Sequence, residues 1–196
     1  MSTDVVTREH VVLLDEDGRA IGTEDKASVH HAHTPLHLAF SCYLFDDAGR
    51  VLVTRRALHK RTFPGVWTNA CCGHPALGEA LDQAVRRRVG QELGAEVADL
   101  RLLLPAFRYR AEQDGVVENE MCPVYVARVI DPDAVRPDPE EVADAVWEPW
   151  ASFRDDVLAG TREVSHWCRE QVRQLPEDPV RAPEAPAAGL PPAARP

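Results

Sequence analysis

One short stretch, residues 67–79, constrains the fold of this chain more than any other. It reads WTNACCGHPALGE and leads into a charged segment that ends at Gly94. If its first half is extended, Cys72 and His74 point to the same side, because strand side chains alternate. Glu79 precedes a predicted helix, where a carboxylate suits the positive end of the helix dipole. Gly94 is a normal C-terminal stop for that helix. The stretch therefore predicts a strand, a turn and a helix that hold a thiol beside an imidazole.

The predicted helix carries two charged side chains on its apolar face. At 100° per residue, its apolar side chains fall on one side. Arg88 and Glu92 lie inside this stripe, where a charge is costly unless it is paired or bound. Two interpretations stay open: an i,i+4 ion pair at a partly open edge, or a face that lines a site for a metal and an anion. The apolar stripe consists of Leu81, Ala84, Val85 and Val89.

Charge and cysteine content exclude several classes of partner. A net charge of −10 argues against a general nucleic-acid or anionic-membrane surface, so a local basic cluster would have to hold any anion. No stretch has the length of a membrane span, and the first residues lack the basic region and apolar run of a signal peptide. Five cysteines without a CxxC pair do not indicate a disulfide framework. They fit a reducing compartment, and we expect a cytoplasmic protein.

The chain is expected to form one domain followed by a tail. Its 196 residues suffice for a single domain with a substantial core. We predict an ordered domain over residues 1–175 and a Pro/Ala-rich disordered tail over residues 176–196, because the tail has little to bury. The order of the predicted elements indicates an α+β or α/β/α layered domain.

Hydrophobic alternation and turn residues place the elements coarsely. Residues 22–29 are expected to be a polar connection. Predicted strands cover residues 10–14, 36–45, 50–54, 97–110, 116–129 and 142–147, and further predicted helices cover residues 149–158 and 163–175.

Three polar clusters are candidates for a site. Residues 30–37 read HHAHTPLH, and this histidine density suggests metal binding, although a solvated loop is the alternative for any single histidine. Residues 55–61 are basic in an acidic protein, which suggests an anion site, although charge runs are usually solvated. Glu118 and Glu120 face the same way on a predicted strand. Two such carboxylates repel unless a cation lies between them, and a solvated edge strand is the alternative.

The segment from Gly73 to Ala95 resembles the Nudix box. Arg88 and Gln91 stand where that box has glutamates, which a Nudix hydrolase needs to hold metals and activate water. This departure speaks against hydrolysis, and a Nudix-type pyrophosphohydrolase is kept as the alternative function. The positions that match the box are Gly73, Glu79, Arg87, Val89, Glu92, Gly94 and Ala95.

With those departures, the chain is similar to the type 1 isopentenyl-diphosphate isomerases, a family on the Nudix-like fold. The resemblance implies an enzyme of α+β class, a Nudix-like α/β/α sandwich with a mixed sheet. It implies interconversion of isopentenyl and dimethylallyl diphosphate by protonation and deprotonation at carbon, for isoprenoid biosynthesis. Six motifs carry it in order: LHLAFS (36–41), LVTRRAL (52–58), PGVWTN (64–69), CGHP (72–75), FRYR (107–110) and ENE (118–120).

The resemblance also implies two metals. One divalent ion, Mn²⁺, Zn²⁺ or Mg²⁺, would be held by imidazole and carboxylate ligands, a mixture that does not fix the metal. A Mg²⁺ ion on the substrate diphosphate would use Glu92. His31 and His33 are close alternatives to the first ligand in the chain. The implied ligands of the first ion are His30, His37, His74, Glu118 and Glu120.

The implied chemistry is proton transfer at two faces of an alkene. Cys72 would serve one face, and Glu120 with Tyr109 beside it would serve the other. The expected partner is a small-molecule isoprenoid diphosphate, and the protein is expected to be a monomer or weak dimer. A non-catalytic metal-binding module is a third alternative. The implied substrate contacts are Lys26, Arg56, Lys60 and Arg88 for the diphosphate and the Trp167 ring for the carbocation.

Overall fold

The computed structural model describes residues 9–195, which form two β-sheets and four α-helices. The strands are β1 (His10–Leu14), β2 (Ala20–Asp25), β3 (His37–Leu38), β4 (Phe40–Phe45), β5 (Arg50–Arg56), β6 (Trp67–Thr68), β7 (Cys71–Gly73), β8 (Val97–Leu104), β9 (Arg108–Gln113), β10 (Val116–Met121), β11 (Val124–Val129) and β12 (Val142–Pro149). The helices are α1 (Lys26–Val29), α2 (Leu81–Leu93), α3 (Trp150–Ala159) and α4 (His166–Gln174).

Both sheets are mixed. The five-stranded sheet has the order β2-β1-β3-β10-β9, with β3 and β10 parallel. The seven-stranded sheet has the order β12-β5-β4-β11-β8, with β4 and β11 parallel, and β6 and β7 pair with β5 and β4. The predicted α+β class is confirmed, and the mixed sheet that the sequence predicts is divided in two.

The division arises where two long predicted strands each change sheets. Residues 36–45 split at Ala39 into β3 and β4, and residues 116–129 split at Cys122 and Pro123 into β10 and β11. Proline has no N–H for a ladder, so a strand pairing ends or bulges there. The chain therefore crosses twice between the sheets at the same place, and side chains of both sheets meet there.

Helix α2 lies against the sheet through the apolar stripe that its periodicity predicts. The helix ends where Gly94 adopts φ 59°, a left-handed conformation that favours glycine. Gly73, at the end of β7, is needed for close packing, because an added Cβ would lie 3.0 Å from the Phe40 ring and 3.1 Å from Arg88. This contact sets α2 close to the residues after Cys72.

Two segments that the sequence predicts to lack regular structure are ordered in the structure. Residues 22–29 are not a polar connection: they complete β2 and form α1, which Asp25 caps by accepting a hydrogen bond from the Ala27 N–H at 2.8 Å. β2 is largely exposed on both faces, so it shows no apolar alternation.

Among the described residues, no helix is long and apolar enough to cross a membrane.

The second difference concerns the tail that the sequence predicts to be disordered. Residues 176–195 lie against the sheets, and Leu190 is buried in the apolar cluster around α2. The Ala185 N–H donates to the Leu102 carbonyl, and the Ala193 N–H donates to the Gly18 carbonyl. Backbone hydrogen bonds and one anchoring leucine hold a segment whose composition offers little to bury. Residues 1–8 and Pro196 lie outside the described residues, and the domain boundary at residue 175 stays a prediction.

Candidate active site

A cavity of about 270 Å³ lies among residues from both sheets, α1, α2 and α4. It brings together all the predicted site residues except His37. His37 does not line the cavity, but it contacts Glu120, which does. The predicted residues that line it are Lys26, His30, Arg56, Lys60, Cys72, His74, Arg88, Glu92, Tyr109, Glu118, Glu120 and Trp167.

Three histidines and one glutamate converge at one side of this cavity. One donor atom from each of His30, His37, His74 and Glu120 lies within 4.8 Å of the others. The Nε2 atoms of His37 and His74 each lie 3.3 Å from Glu120 Oε1, and that of His30 lies 4.0 Å away. Within residues 9–195, the buried Nε2 atoms of His30 and His37 have no hydrogen-bond partner. We name these four residues the histidine cluster, and its donors fit a divalent cation.

The strand register explains why these donors converge. His37 in β3 lies beside Glu120 in β10 as its parallel partner. The Nδ1 atom of His37 lies 2.9 Å from the Pro35 carbonyl, so this nitrogen carries the proton and Nε2 is free to accept or to bind a metal. His30 follows the last residue of α1 and is buried, whereas His31 and His33 are exposed. The structure thus brings His30, and neither of its alternatives, into the cluster.

Burial and the shared carboxylate set the charge of the cluster. Burial lowers the pKa of His74 to about 4, so its imidazole is neutral at pH 7, the form that binds metals. Burial alone would raise the pKa of Glu120, but the three histidine rings that face its carboxylate bring the pKa well below its usual value. Glu120 is therefore an ionised carboxylate at neutral pH.

Glu118, the fifth predicted ligand, lies outside the histidine cluster. The Tyr109 hydroxyl lies 2.9 Å from a carboxylate oxygen of Glu118 and 2.9 Å from one of Glu120. Tyr109 has one hydroxyl hydrogen, which the two carboxylate oxygens share. Burial, and then the charge of Glu120, raise the pKa of Glu118. The Tyr109 hydroxyl thus lies between the two carboxyl groups and links Glu118 to Glu120.

Cys72 lies in β7, is half-buried and lines the cavity wall. Its thiol lies 3.3 Å from the amide oxygen of Asn69 and 3.2 Å from the hydroxyl of Ser41. Burial raises the pKa of this thiol to about 12, although both hydrogen bonds act to lower it. The sulfur therefore carries a proton at neutral pH.

The aromatic part of the wall is centred on Trp167 in α4. The ring is buried and lies 5.5 Å from the Tyr109 ring and 5.1 Å from the Phe63 ring, centroid to centroid. Its Nε1–H donates to the Asn69 amide oxygen at 3.2 Å. The guanidinium of Arg56 lies 5.8 Å from the same ring. These contacts fix the position of the indole, whose π face can stabilise a positive charge.

Basic side chains line another part of the cavity, and each cation has a partner there. Lys26 pairs with Glu9 at 2.6 Å, and Lys60 pairs with Glu141. Arg88 donates to Glu92 at 2.8 Å, so the ion pair on α2 exists and also lines the cavity. The ion-pair interpretation of that helix face is therefore confirmed, and the site for a metal and an anion stays a prediction.

The sequence analysis missed the two acidic partners of this basic group. Glu9 lies 3.6 Å from Arg88, and Glu141 lies 3.4 Å from it. No motif marks either residue, because each reaches the cavity from a segment remote from the basic residues in the chain. An anionic ligand would have to displace these carboxylates from the cations.

Comparison with known proteins gives a consistent assignment. Residues 35–168 match the family model of the NUDIX domain. The chain is 65% identical over 170 residues to the isopentenyl-diphosphate Delta-isomerase of Mycolicibacterium vanbaalenii, covering 86% of this chain and 92% of that protein. It is 56% identical over 190 residues to that of Saccharopolyspora erythraea, covering 95% and 97%. It is 50% identical over 160 residues to that of Klebsiella pneumoniae, covering 81% and 86%.

Solved structures agree on the fold. DR0079 from Deinococcus radiodurans superposes with a TM-score of 0.64 at 18% identity, covering 84% of this chain and 98% of that one. A MutT NUDIX hydrolase from Burkholderia pseudomallei gives a TM-score of 0.55 at 21% identity, covering 72% and 98%. At these identities the likeness concerns the fold alone. The Nudix-like fold that the sequence predicts is confirmed.

Proposed function

Because the chain belongs to the NUDIX family and, within it, to the isopentenyl-diphosphate Delta-isomerases, we propose that its cavity interconverts isopentenyl and dimethylallyl diphosphate. The chain is an isomerase of isoprenoid biosynthesis. The observation that carries the assignment to this cavity is that Cys72, Glu120 and Trp167 line it together with a group of cations.

The reaction requires an acid and a base held apart in a dry site. An unactivated alkene is a poor base, and its protonation gives a tertiary carbocation or a state close to one. Loss of a proton from the neighbouring carbon then completes the shift of the double bond, so one proton is added and one is removed. Water near such a cation would trap it, so the reaction requires a site from which water is excluded.

Cys72 and Glu120 have the protonation states that this chemistry needs. The thiol keeps its proton at neutral pH, and the carboxylate is ionised. We assign sulfur to one face of the alkene and the carboxylate, with Tyr109 beside it, to the other. The Trp167 ring would stabilise positive charge between them by about 0.5–2 kcal/mol.

The basic group would hold the diphosphate. Lys26, Arg56, Lys60 and Arg88 line the cavity, and the carboxylate partners of Lys26, Lys60 and Arg88 would give way to phosphate oxygens. Arginine binds such oxygens in a fixed fork, and lysine binds them as a point charge. A Mg²⁺ ion that accompanies the diphosphate would use Glu92, because that carboxylate lies beside Arg88 in the same wall.

The histidine cluster would hold the other divalent ion. Its three imidazoles and one carboxylate suit Zn²⁺ or Mn²⁺, and Mg²⁺ is the third candidate. When bound, this ion would polarise the carboxyl group of Glu120. Glu118 would act from outside the cluster, through Tyr109.

Metal removal is expected to abolish most activity while the fold persists. Because the cluster ties Glu120 to three histidines, we expect chelation followed by desalting to lower kcat by about 10–100-fold. Added Mn²⁺ or Zn²⁺ should restore it. Metal content by mass spectrometry and thermal unfolding would be measured on the same samples. His37→Ala should lose the metal, and His33→Ala, an exposed histidine of the same tract, should keep it. Full activity of metal-free protein would contradict this role of the cluster.

Product analysis tests the function itself. Incubation of the protein with isopentenyl diphosphate, Mg²⁺ and Mn²⁺ should give dimethylallyl diphosphate with no release of phosphate. Release of phosphate, or of nucleoside monophosphates from nucleoside diphosphate derivatives, would favour the hydrolase alternative. The replacement of box glutamates by Arg88 and Gln91 on α2 argues for the first result.

A further inference from the structure

A row of buried hydrogen bonds connects α4 to the sulfur of Cys72. Ser41 in β4 is the direct partner of Cys72 across the β4–β7 pairing, and its hydroxyl oxygen lies 3.2 Å from the sulfur. The Nε2 atom of Gln171 in α4 donates to that oxygen at 2.9 Å. Ser41 and Gln171 are both 0% exposed and are not part of the cavity wall. They contact the proposed acid without reaching the substrate.

The hydrogen bonds on the α4 side of this row have a defined direction. The Tyr43 hydroxyl donates to Oε1 of Gln171 at 3.0 Å, so the amide nitrogen of Gln171 faces Ser41. The Ser41 oxygen accepts that N–H, and its own hydrogen can donate to a sulfur, although the thiol could equally be the donor in that contact. Two sulfurs are within reach, those of Cys72 at 3.2 Å and Cys122 at 3.4 Å. Only the nearer one, Cys72, lines the cavity.

The acceptor on the other side of the thiol is already occupied. The Asn69 amide oxygen accepts from the Thr68 hydroxyl at 2.9 Å and from the Trp167 indole at 3.2 Å. An amide oxygen has two lone pairs, so these donors fill it. The Cys72 thiol approaches the same oxygen at 3.3 Å. The thiol therefore competes with two other donors for this oxygen, and its hydrogen can instead turn into the cavity.

We propose that Ser41 and Gln171 are positioning residues for Cys72. Ser41 donates a hydrogen bond to the sulfur, and Gln171 orients Ser41 so that it can do so. The sulfur is then fixed as an acceptor on its buried side, and its own hydrogen points toward the alkene. This inference rests on the proposed role of Cys72 in proton transfer.

Steady-state kinetics of four variants test the inference. Ser41→Ala and Gln171→Met remove the two donors, and we expect kcat to fall by about 5–20-fold for each. KM should stay within about twofold of the wild-type value, because no cation of the cavity is altered. Cys122→Ala is the matched control: it removes the other buried sulfur beside Ser41, and its kcat should change by less than about twofold. Cys72→Ala is the reference for loss of the thiol.

The outcomes separate the inference from the proposed function. Wild-type kcat in Ser41→Ala or Gln171→Met beside an inactive Cys72→Ala would overturn the inference and leave the role of Cys72 intact. An active Cys72→Ala would overturn the role of the thiol. An equal loss in Cys122→Ala, or a change in KM without a change in kcat, would indicate packing and count against positioning. Thermal unfolding identifies any variant that fails to fold, and the other variant of the pair then decides.

Discussion

Replacement of Cys72 by alanine is expected to lower kcat by about 10²–10⁴-fold, the usual contribution of a positioned general acid or base. The thiol is the proton-bearing group that the structure places at the cavity wall on the β7 side. The alanine side chain is a methyl group, which has no proton that it could transfer. KM should change little, because the diphosphate contacts lie elsewhere in the cavity. Steady-state kinetics, with circular dichroism to confirm folding, would measure this.

Cys42→Ala is the matched control for the loss of a sulfur. Cys42 lies in β4 with its side chain fully buried in the apolar cluster around α2, and it does not line the cavity. Its kcat should stay within about twofold of wild type, since the change is confined to the core. A Cys72→Ala enzyme that turns over as fast as the Cys42→Ala enzyme would show that the thiol is wrongly assigned.

The second large effect is expected at Glu120. Glu120→Gln replaces an ionised carboxylate by a neutral amide of almost the same shape, so the fold should persist. The amide is a poor proton acceptor, and it cannot match the negative charge that His37 and His74 meet at 3.3 Å. We expect kcat to fall by about 10³-fold or more, because proton transfer and the charge of the cluster are lost together.

Metal analysis separates the two causes of that loss. A Glu120→Gln enzyme that keeps its metal and is inactive would assign the loss to proton transfer, whereas loss of the metal would assign part of it to ligation. Glu112→Gln, on the exposed face of the neighbouring strand β9, is the control for removal of a carboxylate and should behave like wild type. Activity of Glu120→Gln within about tenfold of that control would be inconsistent with the proposed chemistry.

The parts of the fold that carry a local pattern were predictable from the sequence. Helix α2 has a 3.6-residue apolar stripe and a glycine at its end, and the structure confirms both. The change of sheets at Ala39 and at Pro123 was not predictable, because an apolar run reads as one strand whichever sheet it joins. The order of residues 176–195 was missed for a related reason: backbone hydrogen bonds to distant strands leave no trace in composition.

The site, like the fold, has parts that were predictable from the sequence and parts that were not. The resemblance to the isomerases implied that His74, Cys72 and Glu120 share one site, and all three line the same cavity. The contact from Gln171 to Ser41 joins residues 130 positions apart, and neither residue type is unusual in a core. Such a contact can be found only from coordinates, since polar residues with buried partners look like any other polar residues in a sequence.

The source of the proton added to carbon tests the account most directly. Isopentenyl diphosphate would be incubated with the enzyme, Mg²⁺ and Mn²⁺ in D₂O, and the products followed by NMR. The account predicts dimethylallyl diphosphate with deuterium in the methyl group formed by protonation, since the thiol and carboxyl hydrogens exchange with solvent. With metals supplied and the fold intact, recovery of unchanged, unlabelled substrate would contradict it.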